Sequence, residues 1–374
     1  MSSAPHPTID QIPGPLDQPA RILFLYTELA PYVIACLRAL AERGAEVHVV
    51  RWPVNREAPF RMEVDERIHL YERNTMGTDG LLQLAERIKP AVVLASGWVD
   101  KGYLAVCRTL RTAGVPTVMC SDTAWRGSAR QWLAVGAGRF WIRSAFSHAW
   151  VTGTAQADYA RKLGFADSDI RTGFYSADTD LFAPLATSLG AQRALAWPHR
   201  FLCTARYIPT KGHQYLCDAF AELCDADEAE DWELWIVGTG ELHEQVMRSP
   251  SGRHPRIRHL GFIQAEALPA IMADCGVFIL PSTYEPWGVV VQENACAGFP
   301  LLLSDAVGAA ERFLHEGENG HLFRAGDRSS IKQAMLRMVH ANDDRLRAMG
   351  LRSASIGISW NPDQWAAVAM GLIR

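Results

Sequence analysis

Short, unbroken apolar runs recur down this chain, each closed by glycine, proline or a small polar residue and followed by a segment with helical spacing. They include RILFLY from Arg21, AVVLAS before Gly97, PTVMCS before Asp122, HAWV before Thr152, RFLC before Thr204, LWIV before Gly238, FIL before Pro281 and LLLS from Leu301. A strand with one wet face alternates apolar and polar residues, whereas a run of four or five apolar residues is buried on both faces, as in a parallel sheet covered by helices. The strand, helix, strand rhythm therefore predicts an α/β fold, and 374 residues suffice for two domains of ordinary size.

The stretch 280–300, LPSTYEPWGVVVQENACAGFP, carries the densest chemical signal. Its preceding strand stops at Leu280, so Glu285 lies in a loop at a strand's carboxyl end, where open α/β sheets bind ligands. Pro286 and Gly288 forbid a helix through the turn, and VVVQENACAG is predicted to run as one until Gly298 and Pro300 stop it. Glu293 then falls in the first turns of that helix. The free amides of Val289 and Val290 and the helix dipole favour an anion in front of them, and two carboxylates flank the spot. A carboxylate beside an anion needs a reason, and sugar or ribose hydroxyls supply one, because a carboxylate accepts their hydrogen bonds. A nucleotide diphosphate carrying a sugar fits such a site.

The spacing of Glu285 and Glu293 (E-x7-E), the PS-x-x-E-x-x-G run from Pro281 to Gly288 and the closing ACAGFP resemble the donor-site signature of the GT-B retaining glycosyltransferases of the family-4 type. A second element, Arg206-x4-Lys211-Gly212, is similar to the family's diphosphate-gripping loop, and the likeness runs from about Arg21 to the carboxyl terminus. The resemblance implies two Rossmann-like domains facing a cleft, with a carboxyl-terminal helix crossing back to the first. On that basis residues 1–20 are a flexible tail, 21–183 an acceptor-side domain, 184–198 a linker, 199–358 the nucleotide-sugar domain and 359–374 the crossover helix.

It also implies roles. Arg206 and Lys211 grip the diphosphate, a planar fork beside a mobile point charge. Glu285 meets the donor sugar and Glu293 the ribose. Gly238 and Gly240 let the backbone approach the ligand, Gly288 makes the turn, and Phe262 stands near the nucleobase. Relatives commonly end the strand matching PTVMCSD in histidine and aspartate; here those positions are Ser121 and Asp122, and Asp122 is either a hydroxyl-orienting group or a helix cap. Asp178-Thr-Asp180 resembles a cation-binding D-x-D, but ahead of an apolar pair and a linker it reads as turn chemistry. The first strand's turn lacks G-x-G-x-x-G, so the nucleotide is not expected there, and Glu28 to Pro31 replace the relatives' glycine pair.

Residues 125–150 hold four arginines (Arg126, Arg130, Arg139, Arg143), no acid, and Trp125, Trp132, Phe140, Trp141 and Phe146, with a helix break expected at Gly136 and Gly138. A basic, aromatic-edged surface suits an anionic membrane or a lipid-linked acceptor, although a core helix with outward arginines gives the same pattern. Eight cysteines without C-x-x-C pairing predict buried free thiols and a reducing, cytoplasmic setting, peripheral at the inner face of the membrane if the arginines meet it. A net charge of −4 gives no reason to expect nucleic acid, and the sequence calls for no metal and no cofactor beyond the nucleotide sugar. The implied activity is sugar transfer with retention to a glycan, lipid-linked or small-molecule acceptor, as in bacterial surface polysaccharide or glycoconjugate synthesis. A GT-B nucleotide-sugar epimerase and a non-catalytic sugar-nucleotide-binding protein are the rival classes; a phosphorylase would need a pyridoxal-phosphate lysine element that the chain lacks.

Overall fold

In the computed structural model, which describes residues 19–27, 29–53, 64–136 and 138–373, the apolar runs form two separate parallel sheets. The first contains β1 (Arg21–Leu25), β2 (Glu46–Arg51), β3 (Ile68–Glu72), β4 (Val92–Ser96), β5 (Thr117–Ser121), β6 (His148–Val151) and the two-residue β7 (Ile170–Arg171). Their order is β3-β2-β1-β4-β5-β6-β7, every pair parallel. The second contains β8 (Arg200–Thr204), β9 (Glu233–Val237), β10 (Ile257–Gly261), β11 (Val277–Leu280), β12 (Leu301–Ser304) and β13 (Gly320–Phe323), in the order β10-β9-β8-β11-β12-β13, again all parallel. The central strands β11 and β12 are buried at every residue, while the edge strands β3 and β10 are only partly so, as two-sided helix cover requires.

The chain divides into two compact units, the first running to Phe174 and resuming at Pro362, the second spanning Tyr175–Asn361. The final helix, Pro362–Met370, thus belongs to the first unit. Its Trp365 stacks on Trp150 with ring centroids 4.8 Å apart, lies 6.1 Å from Phe24 and donates its indole N–H to the carbonyl of Phe174. Each unit has its own core, one around Leu23, Val93 and Ile142, the other around Phe201, Trp232 and Ile279.

Several expectations need correction. The segment 184–198 is not a linker, since a helix runs over Thr179–Leu195 with Pro184 inside it. Asp178 caps this helix by accepting from the Leu181 amide at 3.2 Å, and the leucine- and alanine-rich sequence after it propagates the helix despite the proline. Strands β3 and β7 escaped the sequence reading, because IHLYE is short and lacks an unbroken apolar run, and β7 is two residues long. Most of the expected tail, up to residue 18, and Glu28 lie outside the described residues.

The helix Thr179–Leu195 also supplies a fastening that no motif announces. Arg193, 3% exposed, donates to the carbonyls of Ala297 and Gly298 at 3.2 and 3.0 Å and to those of Met272 and Cys275 at 3.4 and 3.1 Å. It lies 4.4 Å over the ring of Phe299, and burial lowers its pKa to about 10. Four carbonyls in place of a carboxylate make this a cationic clamp on the end of the helix that follows the Glu285 loop. Removing it orphans buried acceptors at about 1–3 kcal/mol in total. Arg193→Leu should lower the melting transition of the second unit by roughly 3–10 °C in calorimetry, against no measurable change for the exposed Arg324→Leu; equal melting of the two variants would show that the clamp contributes nothing.

Candidate active site

In the second sheet, connections leave β8 toward β9 and leave β11 toward β12, on opposite sides, so the loops after β8 and β11 part from one another at the topological switch point. The sequence placed Arg206 and Lys211 on the first loop and Glu285 on the second. The fold makes these loops neighbours and the hydrogen bonds join them. The amide of Thr283 donates to the carbonyl of Thr210 at 2.8 Å, and that of Tyr284 to the same oxygen at 3.3 Å. Gly212, at φ +69°, lies so close to the Pro281 carbonyl that a Cβ would sit 2.2 Å from its oxygen. Only glycine meets both demands there.

This stitching delivers the Lys211 ammonium directly onto the Glu285 carboxylate, an ion pair that the sequence did not foresee. Glu285 is 8% exposed; Ser282, fully buried, donates to the same carboxylate oxygen at 3.3 Å. Its backbone is held on both sides, the amide donating to Ala306 at 3.2 Å and the carbonyl accepting from Gly308 at 3.0 Å. Glu285 is therefore a positioned internal group, not a solvated loop residue. Gly288, at φ +94°, packs where a Cβ would stand 3.0 Å from the Glu285 Cγ, and the helix Val289–Cys296 begins right after it. The amides of Val289 and Val290 lead that helix, where no preceding turn accepts from them.

Glu293 sits in the middle of this helix, half-buried. Burial first and the charge of Asp178 second push its carboxyl up to about 7. Asp178 is 115 residues away in sequence, and only the fold reveals it as a neighbour. Asp178 itself caps a helix, in line with the expected turn chemistry. The preceding residue, Gln292, is a second unforeseen anchor. Its carbonyl oxygen accepts from the Ala177 amide at 2.7 Å and its amide donates to Gly357 and Trp360 at 3.0 and 2.6 Å, fixing the helix that carries Glu293.

Gly238 and Gly240, expected to admit a ligand, have a nearer reason. At φ +140° and +149°, their added Cβ atoms would meet the Ala205 carbonyl at 2.0 Å and the Tyr207 carbonyl at 2.7 Å. The β9 loop thus braces the Arg206 loop, with Tyr207 donating to Thr239 at 2.8 Å and Leu242 to Tyr207 at 2.9 Å. Arg206 is exposed and Phe262, after β10, is half-buried. Behind the loop lies a ring cluster with no sequence signal. Tyr207 stacks on His213 at 4.0 Å, and its hydroxyl meets His259 Nδ1 at 2.7 Å while His259 Nε2 meets the Gly252 carbonyl at 3.0 Å. Since a carbonyl only accepts, Nε2 carries the proton and Tyr207 donates to Nδ1. Burial and the adjacent Lys211 depress His213 to about 3, so no second cation competes beside Lys211.

In the first unit, Asp122 is half-buried on the loop after β5, and Gln156 donates to its carbonyl at 3.1 Å. The next helix in the chain begins at Ala129, and Ser128 accepts from Gln131 at its start, at 3.3 Å. The arginine-rich segment forms two helices, Ala129–Gly136 and Gly138–Ala145, divided where the glycines predicted. Trp132 (60%), Leu133 (72%), Phe140 (81%) and Trp141 (43%) are exposed, beside the exposed Arg126, Arg130 and Arg139. Two expected members of this surface face inward. Phe146 is fully buried, and Arg143 pairs with Asp169 at 3.2 Å, donates to Ser147 at 2.9 Å and covers Phe165 at 4.5 Å. Trp125 is half-buried under Lys162. Among the described residues no helix is long and apolar enough to cross a membrane, and the eight cysteines are free, seven of them buried.

Comparison with known proteins bears first on the second unit. Residues 198–341 match the family described as glycosyl transferases group 1. The phosphatidyl-myo-inositol mannosyltransferase of Mycobacterium leprae is 30% identical over 167 residues, 44% of this chain and 42% of that protein. The lipopolysaccharide core biosynthesis glycosyltransferase LpsE of Rhizobium meliloti is 28% identical over 172 residues, 46% and 44% of the two. The chain thus spans less than half the length of these curated relatives. Solved structures extend the likeness to the whole fold: HepE of Anabaena, in complex with UDP and glucose, has a TM-score of 0.69 at 18% identity, covering 94% of this chain and 99% of that one. Sucrose-phosphate synthase of Thermosynechococcus elongatus has a TM-score of 0.73 at 17% identity, with 95% and 98% covered. The architecture is that of the GT-B glycosyltransferases, two parallel-sheet α/β units.

The raised carboxyl of Glu293 has a measurable consequence. Between its ordinary value of 4.5 and about 7 the folded protein holds a proton that the unfolded chain releases, so stability falls as pH rises through that window. Allowing for solvent screening of a half-buried group, the effect is about 1–2 kcal/mol. Glu293→Gln should therefore melt roughly 3–6 °C above wild type at pH 8 and level with it at pH 4; a difference independent of pH would contradict the assignment.

Proposed function

We propose that this protein is a retaining glycosyltransferase that moves a sugar from a nucleotide-diphosphate donor to a glycan or lipid-linked acceptor. The observation that carries the proposal is the contact of Lys211 with the buried Glu285 at the switch point of a group 1 glycosyl transferase domain. Arg206 and Lys211 neutralise the diphosphate as charge develops on it, assisted by the amides of Val289 and Val290. Glu285 orients the donor sugar, Glu293 takes the ribose hydroxyls, Phe262 and the glycine turns at Gly238 and Gly240 lie toward the nucleoside, and Asp122 serves the acceptor side. The leaving phosphate accepts the acceptor's proton on the same face as the acceptor oxygen attacks. Supporting this are relatives whose names include a mannosyltransferase and a lipopolysaccharide core enzyme, and a structural neighbour that holds UDP and glucose.

Cationic side chains and a helix end do the work of a divalent ion at the diphosphate, so turnover should survive EDTA. Lys211→Ala should lose ~2–4 kcal/mol of transition-state stabilisation, read from kcat/KM. Glu293→Gln, touching a part of the donor that does not react, should raise KM chiefly, whereas Glu285→Gln should lower kcat. Donor released as an epimer without acceptor would instead indicate an epimerase, and full activity of folded Lys211→Ala would remove that residue from the site.

The acceptor side of the proposal rests on the exposed face of the two helices around residues 129–145. Three arginines beside four exposed large apolar side chains exceed what a solvated helix requires, and suit a peripheral position on an anionic, cytoplasmic-facing membrane. Attraction is worth about 1 kcal/mol per basic residue and is screened by salt. The protein should co-sediment with anionic but not neutral liposomes at low salt, and Arg130→Glu with Phe140→Ser should abolish this. Arg143, already paired with Asp169, is the wrong residue to change. Indifference of wild type to anionic vesicles would point to a soluble acceptor.

A further inference from the structure

At the opposite end of the first sheet from its ligand-facing loops, Glu46 opens β2, His48 follows two residues on, and His69 stands beside His48 in register on β3. We propose that Glu46, His48 and His69 form a site for one divalent transition-metal ion of the zinc class. Both imidazole Nε2 atoms approach one carboxylate oxygen of Glu46, His48 at 3.1 Å and His69 at 3.5 Å, and the three ligand atoms lie within 4.8 Å of one another. Tetrahedral zinc with bonds of about 2.0–2.1 Å has ligand atoms about 3.3–3.4 Å apart, so two edges of the tetrahedron are already in place.

A second observation points the same way. His48 is 6% exposed, so its Nε2 is held against the Glu46 carboxylate away from solvent. Its other nitrogen, Nδ1, meets the Tyr71 hydroxyl at 3.1 Å, the outer contact that orients metal-bound histidines. The group opens on a cavity of about 280 Å³ that Arg21 and Arg87 also line. Arg21 pairs in register with Glu46 on the adjoining strand. These cations disfavour a bare dication, so the fourth position takes an anion, hydroxide or chloride, which they hold in the cavity. The ion ties the edge strand β3 to β2 and has no part in the proposed sugar transfer.

The test is zinc titration of the chelator-treated full-length protein against a competing chromophoric chelator. Expected are one tightly held zinc per chain, at least a tenfold loss of affinity in His69→Ala and in Glu46→Gln, about a tenfold loss in Tyr71→Phe, and no loss in His315→Ala, a surface histidine paired with Glu318. Cobalt(II) should give the visible absorption of a tetrahedral site, absent from His69→Ala. His69, with a side chain 43% exposed, is a substitution that the fold should tolerate, and circular dichroism checks it. Absence of tight zinc binding by folded wild type, undiminished affinity in His69→Ala, or equal loss in His315→Ala overturns the proposal.

Discussion

The parting of β8 and β11 governs the second unit. Two parallel neighbours whose connections leave in opposite directions open a gap above their carboxyl ends, and the loops must cross it without side-chain clearance between their backbones. Gly212 against the Pro281 carbonyl, Gly238 against that of Ala205 and Gly308 against that of Pro286 all stand where an added Cβ would sit about 2 Å from an oxygen. These contacts fix where the loops begin, and so where their charged side chains meet. The Lys211 and Glu285 pair is the chemical result of a backbone constraint.

That constraint explains how far the sequence could be read. Runs such as VFIL and LLLS advertise two-sided burial, and strand ends marked by Arg206, Lys211 and Glu285 follow directly. Glycines are legible as glycines, but their reason is not: Gly238 and Gly240 serve a neighbouring loop, a fact held in tertiary distance. Asp178 beside Glu293, Gln292 on Ala177 and Arg193 on four carbonyls are contacts over long sequence separations that leave no periodic trace. Strand β3 was missed for a local reason, since an edge strand shows one face to water and IHLYE lacks the unbroken apolar run used to find the others. His69 was lost with it.

The helix Val289–Cys296 shows what such a site costs. It is eight residues long, too short to hold itself by propensity, and it carries a carboxyl that burial and Asp178 both oppose. Arg193 at its end and Gln292 in its middle offset this with hydrogen bonds to backbone that would otherwise be orphaned. A carboxyl kept where it destabilises the fold is what a ligand site leads one to expect, because its compensation comes when a ligand binds.

The same reasoning resolves how a buried carboxylate can stand in the diphosphate site proposed above. Alone, Glu285 would repel the phosphates and suffer from its own desolvation. Paired with Lys211 it contributes no net charge, while the lysine, having three donors, keeps two for another oxygen. Arg206 adds a positive charge to the same loop and the helix amides add a dipole, both favourable to an anion. Arginine at 211 would carry the same charge on a larger planar fork, in place of a compact ammonium that turns freely on its stem. The buried pair is thus weak evidence for stability but a coherent device for binding. Under the proposed function, it lets one carboxylate read sugar hydroxyls beside a leaving group that would otherwise exclude it.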